Sequence, residues 1–364
     1  MDDIPARKAD HIDITTQQEV SASVSPGWDD IHLVHQSLPE IDLADVDLGV
    51  ELFGRRLRAP LIIASMTGGH ARAEEINRRL ARAAQEFGLG MGVGSQRAAV
   101  RHPELLGTYT VARAEAPDAL LIANVGAPQL IDQGPEGALT TEEIGGLVEA
   151  LRADALAVHL NYLQEVVQPE GDTRARGCLD AIRRVCAALP VPVIAKETGA
   201  GISRAQGLLL REAGVAGLDV GGAGGTSFAL VEALRAADRN LEGAARLGQM
   251  LADWGLPTAV SVAQCVGLGP AVIATGGVRS GLDAARALTL GADAVGVARP
   301  MLTAALAGYD ALRDYVAEFL QALRVVLFLT GARTVPELRR RGSVITGRTA
   351  EWLSALAAAE QHGS

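Results

Sequence analysis

Aromatic residues make up only 3% of the 364-residue chain: five Phe, four Tyr and three Trp. A core this poor in rings has to be filled by Ala, Val, Leu and Ile. Cysteine is equally scarce. Cys178, Cys186 and Cys265 have no metal-type spacing and exclude a disulfide framework, which predicts a reducing, cytoplasmic home. Positive charge is in deficit, with 33 Lys and Arg against 43 Asp and Glu. The formal net charge of −10 argues against a nucleic-acid or membrane-surface binder but leaves room for a local basic pocket. No apolar run is long enough to span a bilayer, and the first residues hold no apolar signal region, so a soluble intracellular protein is expected. The chain is nonetheless 48% hydrophobic, enough for a large core in one barrel with extensions or in two smaller domains.

Glycine, by contrast, is abundant and organised. From Ala271 to Met301 a short apolar run, Ala271–Ala274, reaches Gly276-Gly277. A helix then follows, with Leu282, Ala285 and Leu288 expected on one face and a capping pattern from Ser280 to Asp283. Gly291 ends that helix, and Asp293–Val297 supplies another strand. This is a βαβ unit, whose parallel strands require buried faces. The stretch Gly217–Phe228 repeats the idea: an apolar run, then Gly221-Gly222-Ala223-Gly224-Gly225, then Thr226-Ser227 where a helix would begin. Free N–H groups and hydroxyls at such a place suit a phosphate. Two such loops after successive late strands are how a (β/α)8 barrel builds a phosphate cup.

Read in order, residues 1–58 lack a βα rhythm and form an N-terminal extension, with Trp28, Ile31, Leu33 and Val34 available for burial. From Pro60 strands alternate with helices: Leu61–Ala64, Gly90–Gly94, Ala119–Ala123, Ala155–Leu160, Pro192–Ala195, Ala216–Val220, Ala271–Ala274 and Ala292–Val297. The span 59–310 is therefore read as an α/β TIM barrel, close to the roughly 250 residues typical of one. The segment 311–364 is a C-terminal helical region, with Val316, Leu320, Leu323, Leu327 and Phe328 closing the bottom or an oligomer face. A doubly wound open sheet is the competing architecture. Against it, no G-x-G-x-x-G stands at the first βα turn and the phosphate-like loops fall late.

In a barrel, chemistry sits where strands end. Those ends carry Thr67, Ser95, Arg97, Asn124, His159, Asn161, Gln164, Glu165, Lys196, Asp219, Thr226, Thr275 and Arg299. Any one could be a cap or a satisfied core group, but an apolar strand rarely ends in Lys or Asn without a partner there. Thr67, Ser95, Asn124 and Lys196 offer hydrogen bonds to a planar polar ring, and the late loops offer a phosphate site. Flavin mononucleotide fits these features; pyridoxal phosphate, with Lys196 as its Schiff base, is the rival. Arg7, Lys8 and Arg97 remain as positive charge for a second, diphosphate-bearing ligand. Glu165 is a hard-oxygen ligand suited to Mg2+ on that diphosphate.

The chain resembles the FMN-dependent type 2 isopentenyl diphosphate isomerases. The resemblance is carried by Arg7-Lys8-Ala9-Asp10-His11, Met66-Thr67-Gly68-Gly69, Gly94-Ser95-Gln96, His159-Leu160-Asn161 with Gln164-Glu165, Lys196-Glu197, Gly221–Thr226, Thr275-Gly276-Gly277 and Leu329–Thr334. The His-Leu-Asn-x-x-Gln-Glu run is the most specific. Ser65 and Phe228 depart from the Ala and Trp expected at those places. The resemblance implies conversion of isopentenyl diphosphate to dimethylallyl diphosphate, with reduced FMN as acid–base group, NADPH as its reductant and Mg2+ on the diphosphate. It further implies that Arg7, Lys8, His11, Ser95 and Arg97 hold the diphosphate, and that His159, Asn161 and Gln164 act at the reacting carbons. Glu165 would bind Mg2+. Ser65, Met66, Thr67, Ser95, Asn124, Lys196, Thr226, Gly276, Gly277, Val278, Ala298 and Arg299 would hold FMN. A homotetramer or homo-octamer is implied as well. Two other functions share the cup: a 2-hydroxy-acid oxidase and a non-catalytic flavin or phosphate binder. The oxidase would want an Asn-His-Gly-Gly-Arg run after the sixth or seventh strand, which is missing; the binder has no need of Gln164 and Glu165 beside Asn161.

Overall fold

The computed structural model describes residues 4–134 and 137–362. Eight short strands close into a parallel barrel. They are β1 (Leu61–Ile63), β2 (Gly90–Gly92), β3 (Leu120–Gly126), β4 (Ala155–Leu160), β5 (Val193–Glu197), β6 (Gly217–Asp219), β7 (Ala271–Thr275) and β8 (Ala294–Val297). Each is nearly continuous in apolar residues, as strands covered on both faces require. The register aligns Gly126 with His159, His159 with Lys196, and Lys196 with Asp219, so three polar residues share one level near the strand ends. Below that level Ile62, Ile122, Ala157, Ile194 and Ile273 fill the interior, with the Phe53 ring packed against them from below.

The extension splits between the two ends of the barrel. Helix α1 (Ile4–Gln17) packs at the mouth, where Ile12, Ile14 and Thr15 are buried. A hairpin of Val50–Leu52 and Arg55–Leu57 plugs the other end, putting Leu52 and Leu57 against Ile62, Leu120 and Ala294. Its two-residue turn places Phe53 at φ 48° and Gly54 at φ 76°, the left-handed pair that tight hairpins use. Phe53 accepts that conformation because its ring lodges at the start of β6: a Cβ on Gly217 would lie 2.7 Å from it. Between the two pieces, Trp28 is buried behind the glycine loops and donates to the Gly276 carbonyl at 3.3 Å. Further along, Ile31–Leu33 pairs with Ser343–Ile345, tying the extension to the C-terminal region.

Helices α2 (Ala71–Phe87), α3 (Tyr162–Val167), α4 (Phe228–Asp238), α5 (Gly281–Thr289) and α6 (Tyr309–Leu329) belong to the surrounding layer. Ser280 caps α5 by accepting from the Asp283 N–H at 3.2 Å. Ala285 and Leu288 face inward, but Leu282 is 40% exposed. It is Gly281 that is turned to α6, where a Cβ would collide with the backbone at Phe319 and Leu323, and Leu282, the next residue round the helix, lies outside that contact. Helix α6 begins at Tyr309, earlier than its apolar spacing suggests, and buries Leu312, Val316, Phe319, Leu323 and Leu327 on the barrel flank against α2 and α5. These residues are thus consumed on the barrel flank and not at the barrel bottom.

Candidate active site

A cavity of about 1090 Å³ opens at the strand C-terminal ends, under α1. Of the residues singled out from the sequence as site residues, all line it except Asp219, which borders a small space inside the barrel below. Strand β4 ends in His159-Leu160, and Asn161 then starts α3, which sets Gln164 and Glu165 one turn on, within reach of Asn161. Asn161 Nδ2 donates to Glu165 Oε1 at 2.7 Å and to Gln164 Oε1 at 3.3 Å. The Asp172 N–H donates to Glu165 Oε2 at 2.7 Å. Burial raises the Glu165 carboxyl above its ordinary range, against those two hydrogen bonds. Asn161 Oδ1 is buried and has no partner among the described residues, so it is oriented for a ligand.

His159 is held neutral. Burial, with Lys196 and Lys8 close by, lowers its imidazole to about 3. Its Nδ1 lies 2.9 Å from Asn124 Oδ1, while Asn124 Nδ2 donates to the Val93 carbonyl at 3.1 Å. With the amide so oriented, Asn124 Oδ1 can only accept. His159 Nδ1 therefore carries the proton and Nε2 is an acceptor. At the same level, Lys196 is 7% exposed, donates to the Glu197 carbonyl at 3.1 Å and stands 3.5 Å from Asp219 Oδ2.

The sequence reading missed Glu232. It sits on α4, is fully buried, and gathers the mouth of the site around itself. Gln164 Nε2 donates to it at 2.9 Å, His11 Nε2 lies at 2.8 Å and Arg235 Nη1 donates at 3.1 Å. With its amide turned to satisfy both neighbours, Gln168 donates to Glu232 Oε1 at 3.1 Å and accepts from Arg7 Nη1 at 2.9 Å. Burial alone would raise the Glu232 carboxyl, but His11, Gln164 and Arg235 outweigh it and hold it down to about 2. A signal was present: Glu232 and Arg235 interrupt the buried face formed by Ala229, Val231, Ala233 and Ala236. A charged pair on such a face has to serve a partner.

Helix α1 brings the basic residues over the cavity. Lys8 Nζ donates to the Gly68 carbonyl at 2.7 Å, the Ser95 carbonyl at 2.8 Å and Tyr109 Oη at 3.0 Å. Burial and the Arg7 guanidinium lower its ammonium to about 7, while the three acceptors favour the protonated form. Arg97 pairs with Asp172 at 2.9 Å. Thr67 Oγ1 lies 3.0 Å from His70 Nε2. Arg299 reaches back to the chain after α1, donating to Ser21 Oγ at 3.1 Å and the Gln18 carbonyl at 3.0 Å. The glycine loops after β6 and β7 interlock. Gly276 and Gly277 adopt φ 121° and 64°, and a Cβ on Gly225 would lie 2.7 Å from the Gly277 nitrogen. Thr226 and Val278 flank them on the cavity wall, and Ala298 follows β8.

A family model described as FMN-dependent dehydrogenase matches residues 2–102 and 142–345. An isopentenyl-diphosphate delta-isomerase of Archaeoglobus fulgidus is 46% identical over 347 residues, 95% of this chain and 97% of the relative. One of Methanoregula boonei is 47% identical over 350 residues, 96% of each. The chain belongs to the isopentenyl-diphosphate delta-isomerase family. It is an enzyme of that FMN-dependent family. Among solved structures, a mandelate oxidase mutant with a monooxide FMN adduct superposes with a TM-score of 0.63 at 20% identity, over 92% of this chain and 95% of that one. A Pediococcus acidilactici lactate oxidase gives 0.63 at 17% identity, over 94% and 91%. At such identities the likeness shows the fold alone.

The residues present fit FMN. The cavity is at the upper end of what single-ligand pockets use, so it has room for a flavin and a second small molecule. Lys196 on the floor and the interlocked glycine loops on the wall supply a positive charge and close backbone approach. No helix of the described residues is long and apolar enough to cross a membrane. Among them, no group of three or more His, Cys, Asp or Glu could hold a metal ion. A lone Glu165 fits Mg2+ only as a carboxylate supplementing phosphate oxygens and water, which is how Mg2+ is commonly held at diphosphates.

Proposed function

We propose that the chain converts isopentenyl diphosphate into dimethylallyl diphosphate. The double bond moves from C3–C4 to C2–C3 as C4 gains a proton and C2 loses one, so nothing is oxidised or reduced. The observation that carries this reading is one cavity in which His159, Asn161, Gln164 and Glu165 face the basic residues of α1. When bound, FMN reduced by NADPH supplies an electron-rich ring and the transferable proton. Arg7, Lys8, His11, Ser95 and Arg97 hold the diphosphate, with Glu165 as the carboxylate for its Mg2+. Lys8 has to exchange at least one of its three present acceptors, the Gly68 and Ser95 carbonyls and the Tyr109 hydroxyl, for a phosphate oxygen, since its three protons are all used. Gln164, fixed by Glu232, and Asn161 orient the isoprenoid carbons. His159 contributes an acceptor rather than a charge, because it stays neutral. Ser65, Met66, Thr67, Ser95, Asn124, Lys196, Thr226, Gly276, Gly277, Val278, Ala298 and Arg299 hold FMN. Helix α1 over the cavity excludes water from the tertiary cation that alkene protonation creates. A cytoplasmic homotetramer or homo-octamer belongs to the same reading.

The deciding experiment is an anaerobic incubation with dithionite-reduced FMN, Mg2+ and isopentenyl diphosphate in D2O, followed by NMR. Dimethylallyl diphosphate carrying deuterium, and none while the flavin stays oxidised, is the expected result. Bound, reduced FMN with the substrate returned unchanged and unlabelled overturns the reading, and 2-hydroxy acids then become the electron donors to try.

A further inference from the structure

Lys196 borders two spaces. Above it lies the large cavity; below it, inside the barrel, is a chamber of about 10 Å³, the scale of one water molecule. Asp219 faces Lys196 across the sheet register, its Oδ2 3.5 Å from the ammonium, which is an ion pair but longer than a hydrogen bond. Both residues are 7% exposed. Among the described residues, Asp219 Oδ1 and Thr275 Oγ1 are buried without a hydrogen-bond partner, and both residues line the chamber. Two glycines keep the space around its hydroxyls open: a Cβ on Gly296 would collide with Thr275 Oγ1, and one on Gly92 with Ser65 Oγ. The rest of the lining is mostly apolar, with Ile62, Ile122, Ile194 and Ile273 on its walls. At one side of a space this size, however, an orphaned carboxylate oxygen, an orphaned hydroxyl and an adjacent ammonium meet the requirement of an internal water for two to four partners.

We infer that Asp219 is a positioning residue: through one chamber water shared with Thr275, and through its charge opposite Lys196, it sets the positive potential that Lys196 delivers to the flavin above. The inference rests on FMN occupying the cavity. Its sign follows from electrostatics. Reduced flavin carries more electron density than oxidised flavin, so a nearby ammonium favours the reduced form and a carboxylate that offsets the ammonium tempers this.

The test measures the ratio of reduced to oxidised FMN affinity in the full-length holoenzyme, read as the midpoint potential. Asp219→Asn keeps the shape and removes the charge. It is expected to raise that ratio about tenfold, about 30 mV for a two-electron couple, and the shift is expected to shrink at least threefold in a Lys196→Met background. Thr275→Val, a second variant that spares the carboxylate, is expected to move the potential in the same direction by less and to remove the water. A crystal structure of the wild-type holoenzyme is expected to show that water within hydrogen-bond reach of Asp219 Oδ1 and Thr275 Oγ1. An unmoved potential in Asp219→Asn, an equal shift in the Lys196→Met background, or a chamber without water overturns this inference alone. Wild-type protein that takes up no FMN overturns the cofactor reading and this inference with it.

Discussion

The N-terminal extension touches both ends of the barrel; both contacts bury apolar residues, and only the one at the mouth adds ion pairs. At the bottom, Leu52, Leu57 and Phe53 enter an apolar interior and close it with a tight hairpin. At the mouth, α1 adds charge to the burial of Ile12 and Ile14: His11 on Glu232, Asp10 near Arg235 and Arg239, and Asp13 on Arg72. The apolar plug is a stability device, worth its buried area whatever occupies the site. The polar helix is coupled to the cavity, because the carboxylate that receives His11 also receives Gln164. One end of a barrel carries stability and the other chemistry, and here a single extension serves both.

The sharpest way to break that comparison is Glu232→Ala. It removes one of three acidic partners of Arg235, which is 3% exposed and keeps Glu170 and Asp10, a loss of about 1.5–3 kcal/mol for a charge-assisted hydrogen bond. It also frees Gln164 and α1, so kcat/KM is expected to fall at least 100-fold as Tm falls; a lowered Tm with unchanged kcat/KM would separate α1 docking from chemistry. At the opposite end, Leu57→Ala is expected to lower stability by about 2–4 kcal/mol in denaturant unfolding. Its kcat and KM should stay within twofold, and a rise in KM would show that the plug reaches the site.

Acid sharpens the contrast further. His159 drops from 6.5 to about 3 on folding, so the unfolded chain binds the extra proton first and stability declines as pH falls below 6.5. Glu232 drops from 4.5 to about 2; its contribution is intact above 4.5 and is lost as pH falls towards 2. Tm measured against pH should flatten between 6.5 and 4.5 in His159→Gln and below 4.5 in Glu232→Gln, whereas Leu57→Ala should shift the whole curve down without changing its shape. The smallest effects concern the diphosphate. Arg7→Ala is expected to raise KM about tenfold, as the loss of one charge-assisted hydrogen bond allows, and Glu165→Gln to weaken the Mg2+ dependence of the rate. Unchanged kinetics in both would refute the diphosphate assignment.

Much of this was legible beforehand because parallel strands announce themselves. The run Ala155–Leu160 keeps its bounds in the structure, the other seven strands fall within a few residues of theirs, and Ser280 caps the helix its spacing predicted. The polar strand ends were legible for the same reason, since Lys196 or Asn161 after an apolar strand breaks a pattern. Glu232 was not read, because a Glu in a helix has an ordinary solvent-exposed explanation until the neighbouring α1 covers it. Leu282 misled in the reverse direction: helical spacing grouped it with Ala285 and Leu288, but Gly281 is the residue turned to α6.

The amino-acid order by itself determined the alternation of strands and helices, the glycine turns and the set of polar residues at the strand ends. These are local: they follow from periodicity of two or 3.6, from caps and from the freedom of glycine. Only the tertiary structure decided which charges meet. Lys196 beside Asp219, His159 on Asn124, and Glu232 receiving His11 across 221 residues depend on barrel closure and strand register. Burial then turns those meetings into shifted protonation, because the energy of a charge depends on what surrounds it.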